Sequence, residues 1–269
     1  MEWWEAILMG IVQGLTEFLP VSSSGHLMIA RELLGVDAEG FLDFTVTVHF
    51  ATVLSTIVVF WGAIWAIIKG VLKFTYNDET DYFLKICVSM IPVAVVGVLF
   101  KDKVESLFAD NLTTVAVCLL ITAALLLFSD IFTKKVRITN NHRNGISYLQ
   151  AAIVGLGQAC AVAPGLSRSG TTIATGLISG VKRENMAQFS FLMVLIPIIG
   201  EQCLDLLDVV KGDVALGSGV GALALVLGFV SAFVSGLFAC KAMVALVRRS
   251  KLCWFALYCA VVAVLIFIF

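Results

Sequence analysis

Residues able to do chemistry cluster in a short segment near the start of a very apolar chain. The segment reads QGLTEFLPVSSSGH and carries Gln13, Glu17, Ser22, Ser23, Ser24, Gly25 and His26. Ionisable and polar side chains are costly inside a membrane, so they are functional candidates by default. A second polar segment, PGLSRSGTT at 164–172, follows far along the chain. We predict that the two segments meet in the bilayer and form one site for a phosphate-bearing lipid.

The first segment offers a carboxylate, hydroxyl groups and an imidazole. Glu17 follows Gln13 by four residues, so both lie on one face of a helix. The carboxylate could be a general base, a metal ligand or the partner of a cation. The serine turn that follows could present hydroxyls and backbone N–H groups to an anion. His26 could be a general acid, a base or a nucleophile, whereas we expect His49 to be a structural histidine.

The second segment adds a permanent cation. Arg168 has a planar fork of donors that suits phosphate. Its neighbours could contribute hydroxyls and close backbone approach to a ligand, namely Ser167, Ser169, Gly170 and Thr172. The alternative is a purely structural ion pair between Arg168 and Glu17. The combined set suits phosphoryl transfer, in which positioning and charge neutralisation carry most of the catalysis.

Composition places these segments in a polytopic helical membrane protein. Hydrophobic residues make up 60% of the 269 residues and charged residues only 14%, while the mean hydropathy is +1.01. The length leaves room for about six spans of about 20 residues. A net charge of −1 argues against a nucleic-acid partner.

The apolar stretches predict an all-α integral membrane protein that forms a single domain over residues 1–269. Long stretches that could span the bilayer occur at about 41–68, 83–100, 112–132, 186–207, 220–247 and 252–269. Two further units, 3–36 and 146–181, consist of a short apolar arm, a polar break and another short arm. Such units are typical of re-entrant hairpins.

The sequence also predicts an internal duplication, with one copy at about 1–132 and the other at about 146–269. Shifted by 145 residues, the first unit matches the second at Gln13 with Gln158, Ser22 with Ser167, Ser24 with Ser169 and Gly25 with Gly170. Placing the basic loop 133–144 in the cytoplasm makes the two hairpins enter from opposite sides. The repeats are then inverted, as in many transporters, and both termini lie outside.

Both motifs resemble those of the bacitracin-resistance family of undecaprenyl pyrophosphate phosphatases. Gln13 to His26 resembles the first signature and 164–172 resembles the second, and the length and span pattern agree from end to end. The resemblance implies hydrolysis of undecaprenyl diphosphate to undecaprenyl phosphate and inorganic phosphate, with recycling of the lipid carrier for peptidoglycan synthesis. It further implies a site on the outer side of the bacterial plasma membrane and dependence on a divalent cation, Mg²⁺ or Ca²⁺.

The resemblance also implies roles for individual residues. Glu17 corresponds to the essential acidic residue, His26 to the essential histidine and Arg168 to the phosphate-binding arginine. The active-site hydroxyls correspond to Ser23, Ser167, Ser169 and Thr172. The family has Glu or Gln at the position of Gln13, so Glu17 would hold the metal together with water and diphosphate oxygens, and Gln13 is a second candidate ligand. The nucleophile stays open among Ser23, His26 and water, and our preferred hypothesis is a direct role for His26.

Two other functions compete with this interpretation. The phosphatidic acid phosphatase superfamily pairs an SGH element with a later SR element, but it needs a second histidine shortly after the arginine, and none follows Arg168. A transporter or flippase of a prenyl phosphate lipid is the rival from another class, because inverted repeats with broken helices are transporter architecture. Membrane lipids are expected partners in either case, and the sequence leaves a homodimer open.

Overall fold

A computed structural model describes residues 1–37, 40–99, 112–133, 142–163, 165–211, 220–249 and 251–268. Most of the basic loop used above for orientation, 134–141, and Pro164 of the second motif lie outside the described residues. Within the described ranges the regular structure is helical. The helices are α1 Trp3–Phe18, α2 Ser23–Leu34, α3 Phe41–Val59, α4 Trp61–Val71, α5 Asp78–Leu99, α6 Leu112–Thr133, α7 Tyr148–Cys160, α8 Arg168–Ile178, α9 Arg183–Lys211, α10 Ala222–Arg249 and α11 Cys253–Ile268.

Three of these helices are long and apolar enough to cross a membrane. They are α5 over Asp78–Gly97, α6 over Leu112–Thr133 and α10 over Ala222–Val247. The bent pair α3 and α4 makes a fourth span if it is counted as one, and α11 is a shorter apolar helix. The chain is therefore a multi-pass, all-α membrane protein, as predicted from its composition, while the count of six spans stays a prediction.

The stretch predicted as a single span over 41–68 is broken in the structure. Helix α3 ends at Val59, and α4 begins at Trp61 with its axis turned by 73°. Phe60 leaves the helical conformation at the break, with φ −100° and ψ 13°, and its ring packs 5.9 Å from that of Phe191. Hydropathy does not reveal such a bend, because both arms are equally apolar.

Two helix–break–helix units lie where the hairpins were predicted. The first is α1 with α2, and the second is α7 with α8. Each second arm begins with a serine N-cap: Ser22 Oγ accepts from the N–H of Gly25 at 3.3 Å, and Ser167 Oγ accepts from the N–H of Gly170 at 3.1 Å. Serine is a favoured N-cap because its hydroxyl satisfies an otherwise unpaired backbone donor. The two breaks therefore share a serine N-cap, although the φ angle is +69° at Ser22 and −67° at Ser167.

The two halves of the chain hold each other's hairpins. Helix α1 of the first half packs on α10 of the second, and α7 of the second packs on α5 of the first. Glycines allow both crossings: a Cβ on Gly14 would lie 2.5 Å from the carbonyl oxygen of Ala232, and one on Gly155 would collide with the carbonyl of Ser89. Small residues let membrane helices approach this closely. The duplication and its inverted orientation stay predictions.

Candidate active site

The two polar segments meet at their breaks, as predicted, while their role as one site for a phosphate-bearing lipid stays a prediction. The backbone N–H of Gly165 donates to Ser24 Oγ at 3.3 Å. In the opposite direction, Ser169 Oγ donates to the carbonyl of Leu19 at 3.2 Å. Ser24 and Ser169 occupy matching positions in the two motifs, so each hairpin is tied to the other by an equivalent serine.

A small cavity of about 40 Å³ lies at this junction. Its polar lining includes residues of both motifs and two threonines of α3, namely Thr16, Glu17, Ser22, Ser23, Ser24, Ser167, Arg168, Ser169, Thr52 and Thr56. Its apolar lining includes Phe18, Val53, Leu166, Phe191, Val194, Leu195 and Ile198. Several lining residues therefore come from α3 and α9, which the motif analysis did not consider.

Glu17 is the centre of the polar lining. Its Oε2 atom accepts from Gln13 Nε2 at 2.9 Å and from Ser23 Oγ at 2.6 Å. Its side chain is only 9% exposed, and it interacts electrostatically with both His49 and Arg168. A buried carboxylate needs hydrogen-bond donors and a nearby cation such as Arg168, because desolvation of an unpaired charge is costly. The carboxylate is therefore held against a hydroxyl that could give up its proton.

His49, which was expected to be structural, approaches Glu17 although it does not line the cavity. Its Nε2 atom lies 3.7 Å from Glu17 Oε2, and its side chain is 12% exposed. Its Nδ1 atom donates to the carbonyl of Thr45 at 2.9 Å, one helical turn earlier. The only signal in the sequence was a histidine within an apolar span. Its approach to Glu17 depends on how α3 packs beside α1.

His26 does not line the cavity either. Its Nδ1 atom lies 2.8 Å from the carbonyl oxygen of Ser22, and its Nε2 atom lies 2.8 Å from the hydroxyl of Tyr258. The rings of His26 and Tyr258 also stack, with centroids 5.6 Å apart and an angle of 11° between them. Both ring nitrogens are thus engaged away from Glu17. A direct role of His26 in the reaction stays a prediction that this arrangement does not favour.

The residues predicted to bind phosphate divide into two groups. Ser22, Ser24, Ser167 and Ser169 line the cavity together with Ser23. Gly25 and Gly170 do not line it, and their N–H groups donate to the capping serines. Thr172 is fully buried and lies outside the lining; its hydroxyl is 2.6 Å from that of Ser190 and donates to the carbonyl of Arg168 at 2.9 Å. Its contacts are those of a residue that fastens α8 to α9.

Ser22 has an unusual backbone conformation at the edge of the site. Its φ is +69°, in the left-handed region that residues other than glycine rarely adopt. Such conformations cost of order 1–3 kcal/mol and persist where the surrounding structure holds them. The strain turns the chain sharply between α1 and α2, so that the hydroxyl of Ser23 reaches back to Glu17.

The described residues supply few protein ligands for a divalent cation at Glu17. In the described part of the chain no group of three or more His, Cys, Asp or Glu residues could hold a metal. Gln13 Oε1 is buried and has no hydrogen-bond partner, but the same is true of both amide atoms of Gln158, so this oxygen does not by itself indicate a cation. A cation bound here would use Glu17 together with water and diphosphate oxygens.

Comparison with known proteins gives one consistent picture. The family model described as "Bacitracin resistance protein BacA" matches residues 6–265. A protein named "Undecaprenyl-diphosphatase" from Bacteroides fragilis is 52% identical over 264 residues, which cover 98% of this chain and 97% of that protein. Proteins with the same name from Parabacteroides distasonis and Halothermothrix orenii are 53% and 37% identical, over 97% and 100% of this chain and 96% and 98% of their own lengths.

Proposed function

The chain belongs to the bacitracin resistance protein BacA family, and on that premise we propose that its cavity hydrolyses undecaprenyl diphosphate to undecaprenyl phosphate and inorganic phosphate. Relatives of nearly full length are named for this activity. The chain is a membrane-bound phosphatase that recycles the lipid carrier of peptidoglycan synthesis and so contributes to bacitracin resistance. Family membership favours this function over the transporter that the repeat architecture also suggested.

The observation that carries the proposal is a cavity lined both by polar residues of the two motifs and by apolar residues of the neighbouring helices. Arg168 and the serines suit a diphosphate headgroup, because guanidinium groups bind phosphate with paired hydrogen bonds. The apolar lining residues, which include Phe191 and Ile198, suit the first part of a prenyl tail.

The contacts of Glu17 support a mechanism in which it acts as a general base. Ser23 Oγ donates to Glu17 Oε2 at 2.6 Å, so the carboxylate is placed to take this proton as Oγ attacks the terminal phosphorus. The bond from that phosphorus to the bridging oxygen breaks, and undecaprenyl phosphate leaves with the electron pair and takes the proton back from Glu17. General-base catalysis of this kind contributes about 10²–10⁴-fold.

A second displacement completes the reaction. Water attacks the phosphoserine and gives a proton to Glu17, the bond from phosphorus to Ser23 Oγ breaks, and Oγ recovers its proton from Glu17 as inorganic phosphate departs. Arg168 neutralises phosphate charge in both steps. Direct attack by a water held on Glu17 would give the same products without a phosphoserine. Acid quenching of enzyme that turns over terminally ³²P-labelled substrate separates the two routes, because only the first leaves label on the protein.

A divalent cation is part of the proposal. Glu17, with water and diphosphate oxygens, would hold it, and it would neutralise charge on the diphosphate when bound. We further propose that the substrate enters from the outer side of the plasma membrane and that both termini lie outside, as the distribution of Lys and Arg favours. Labelling of a single cysteine added at the C-terminus with a membrane-impermeant reagent in intact cells tests that orientation.

Phosphate release from undecaprenyl diphosphate by detergent-purified protein tests the proposed function. A detergent solution has no second compartment, so transport cannot account for the signal. We expect release that EDTA abolishes and that Glu17→Ala and Arg168→Ala lose while remaining folded. Well-folded native protein that releases no phosphate would contradict the proposal.

A further inference from the structure

We propose that Tyr258 of α11 is a positioning residue for the reaction. Through the imidazole of His26 it holds the carbonyl of Ser22, and that carbonyl orients Ser23, whose hydroxyl attacks the phosphorus. The inference deepens the proposed function and rests on it. Tyr258 lies 232 positions beyond His26, outside both polar motifs, and neither of these two residues lines the cavity.

The hydrogen bonds of His26 run in one direction. A carbonyl oxygen can only accept a hydrogen bond, so the 2.8 Å contact with Ser22 requires a proton on Nδ1. In the neutral ring Nε2 is then an acceptor, and the hydroxyl of Tyr258, 2.8 Å away, is its donor. The partner of one ring nitrogen sets the tautomer of the imidazole, and stacking of the two rings, with centroids 5.6 Å apart, restrains its rotation. Tyr258 and His26 therefore form a clamp on the Ser22 carbonyl.

The carbonyl of Ser22 links the clamp to the attacking hydroxyl. It belongs to the planar peptide that joins Ser22 to Ser23, so holding its oxygen fixes the direction of the bond that leads to Cα of Ser23. The same oxygen accepts from the backbone N–H of His26 at 3.2 Å, and the shorter contact with Nδ1 adds a second donor. Beyond this peptide, Ser23 Oγ donates to Glu17 Oε2 at 2.6 Å. Rotation of the peptide would carry the hydroxyl away from the carboxylate that takes its proton.

The conformation of Ser22 explains why a second donor is needed. Its φ of +69° and ψ of 99° are unfavourable for residues other than glycine, and such conformations persist only where surrounding contacts hold them. In the second hairpin, Ser167 has an ordinary φ of −67°. The residue that matches His26 after the shift of 145 is Thr171, whose buried hydroxyl has no hydrogen-bond partner among the described residues. The imidazole therefore stands beside the strained serine, and the relaxed serine does without one.

Helix α11 supports the clamp through a second contact at the same break. The helix packs along α6, and the thiol of Cys259 donates to the carbonyl of Pro20 at 3.7 Å. Two consecutive residues of α11 thus reach the first hairpin. The alternative role of Tyr258 is purely structural: its hydroxyl would fasten α11 to the hairpin, and its loss would lower stability without lowering kcat.

Tyr258→Phe separates the two roles, because it keeps the stacked ring and removes only the hydroxyl. Loss of one such hydrogen bond should lower kcat for phosphate release from undecaprenyl diphosphate about three- to tenfold. KM should change by less than about twofold, since the phenol lies outside the cavity lining. Tyr148→Phe is the matched control: it removes a phenol that donates to Asp81 at 3.0 Å, away from the cavity, and should keep native kcat. A folded Tyr258→Phe enzyme with native kcat would overturn the inference.

Replacements of His26 identify which ring nitrogen matters. Asn places an amide N–H near the position of Nδ1 and can still donate to Ser22, whereas Gln places its amide near Nε2 and can still contact Tyr258. We expect His26→Asn to stay within about tenfold of native kcat. His26→Gln and His26→Ala should lose about 10²-fold or more, because a misplacement of about 1 Å can cost this much. Folded Asn and Ala variants that are equally inactive would show that Nε2 itself reacts and would overturn the positioning role, and Tyr258→Phe remains decisive if these variants do not fold.

Hydrogen–deuterium exchange of the detergent-purified protein gives a readout that does not depend on activity. Backbone amides over 22–26 should exchange about three- to tenfold faster in Tyr258→Phe than in the native protein, and Tyr148→Phe should leave them unchanged. Native protein that releases no phosphate would overturn the proposed function, while faster exchange in Tyr258→Phe would still support the clamp. Native protein that releases phosphate, with both kcat and exchange unchanged in Tyr258→Phe, would overturn the clamp and leave the phosphatase.

Discussion

Replacing Glu17 by glutamine tests the centre of the site with the smallest change in shape. The amide oxygen can take the place of Oε2 and accept from Gln13 and Ser23, so the contacts at 2.9 and 2.6 Å can survive. What is lost is the negative charge and the ability to take the proton of Ser23. The fold should therefore persist, and the defect should fall on the chemical step.

The expected fall in kcat follows because Glu17→Gln keeps the hydrogen bonds and loses only the charge and the basic oxygen. Loss of a general base costs about 10²–10⁴-fold, so we expect kcat to fall about 10³-fold, or about 4 kcal/mol in the activation free energy. The assay is phosphate release at saturating undecaprenyl diphosphate, with thermal unfolding in the same detergent as a test of folding. Glu32→Gln, an exposed change of the same kind on α2, is the matched control and should keep native kcat. A folded Glu17→Gln enzyme within tenfold of native kcat would refute the role of Glu17 as base.

Three further outcomes follow from the same contacts. Ser23→Ala should lower kcat by at least about 10²-fold and abolish acid-stable ³²P labelling of the protein; labelling that survives in the variant would place the phosphoryl group elsewhere. Thr172→Val should lower the free energy of unfolding by about 1–3 kcal/mol, because it leaves the buried hydroxyl of Ser190 without its 2.6 Å partner. The kcat of the Thr172→Val enzyme should change by less than about threefold, since Thr172 lies outside the cavity. A large loss of kcat without destabilisation would instead indicate that Thr172 binds the phosphate. Gly14→Ala should lower the free energy of unfolding by about 1–3 kcal/mol, since the added Cβ would meet the backbone of α10. Gly97→Ala, which has open space around the added Cβ, is the control and should not destabilise the protein. Equal melting temperatures of the two variants would contradict the close crossing of α1 and α10.

Motif analysis located most of the polar lining of the site because its residues are close in sequence. Gln13 and Glu17 are one helical turn apart, and the serines follow directly after the break, so local geometry alone brings them together. The second motif could be related to the first because their serines match at a shift of 145 residues, as Ser22 does with Ser167. A permanently charged Arg168 in an apolar chain also needs a partner of opposite charge, and Glu17 is the carboxylate that the two motifs contain.

Residues whose roles depend on packing between helices were assigned less well. In the sequence, His26 lies within the first polar motif, whereas His49 is a single histidine in an apolar span. The structure turns His26 toward Tyr258 of α11 and brings His49 to Glu17. Thr172 sits in a polar motif but faces α9. No local pattern distinguishes these cases, because the side of a helix that faces a partner depends on where the partner lies.

The sequence by itself therefore determined that the protein lies in a lipid bilayer, that its fold is helical, and where its two polar breaks lie. Apolar length and polar interruption are local properties, and a bilayer permits only backbone that satisfies its own hydrogen bonds. The tertiary structure decided which histidine meets the carboxylate, where the chain bends at Phe60, and how α1 and α7 cross the opposite halves at Gly14 and Gly155. These features arise from contacts between segments far apart in the chain, whose relative positions are set by packing of the whole bundle.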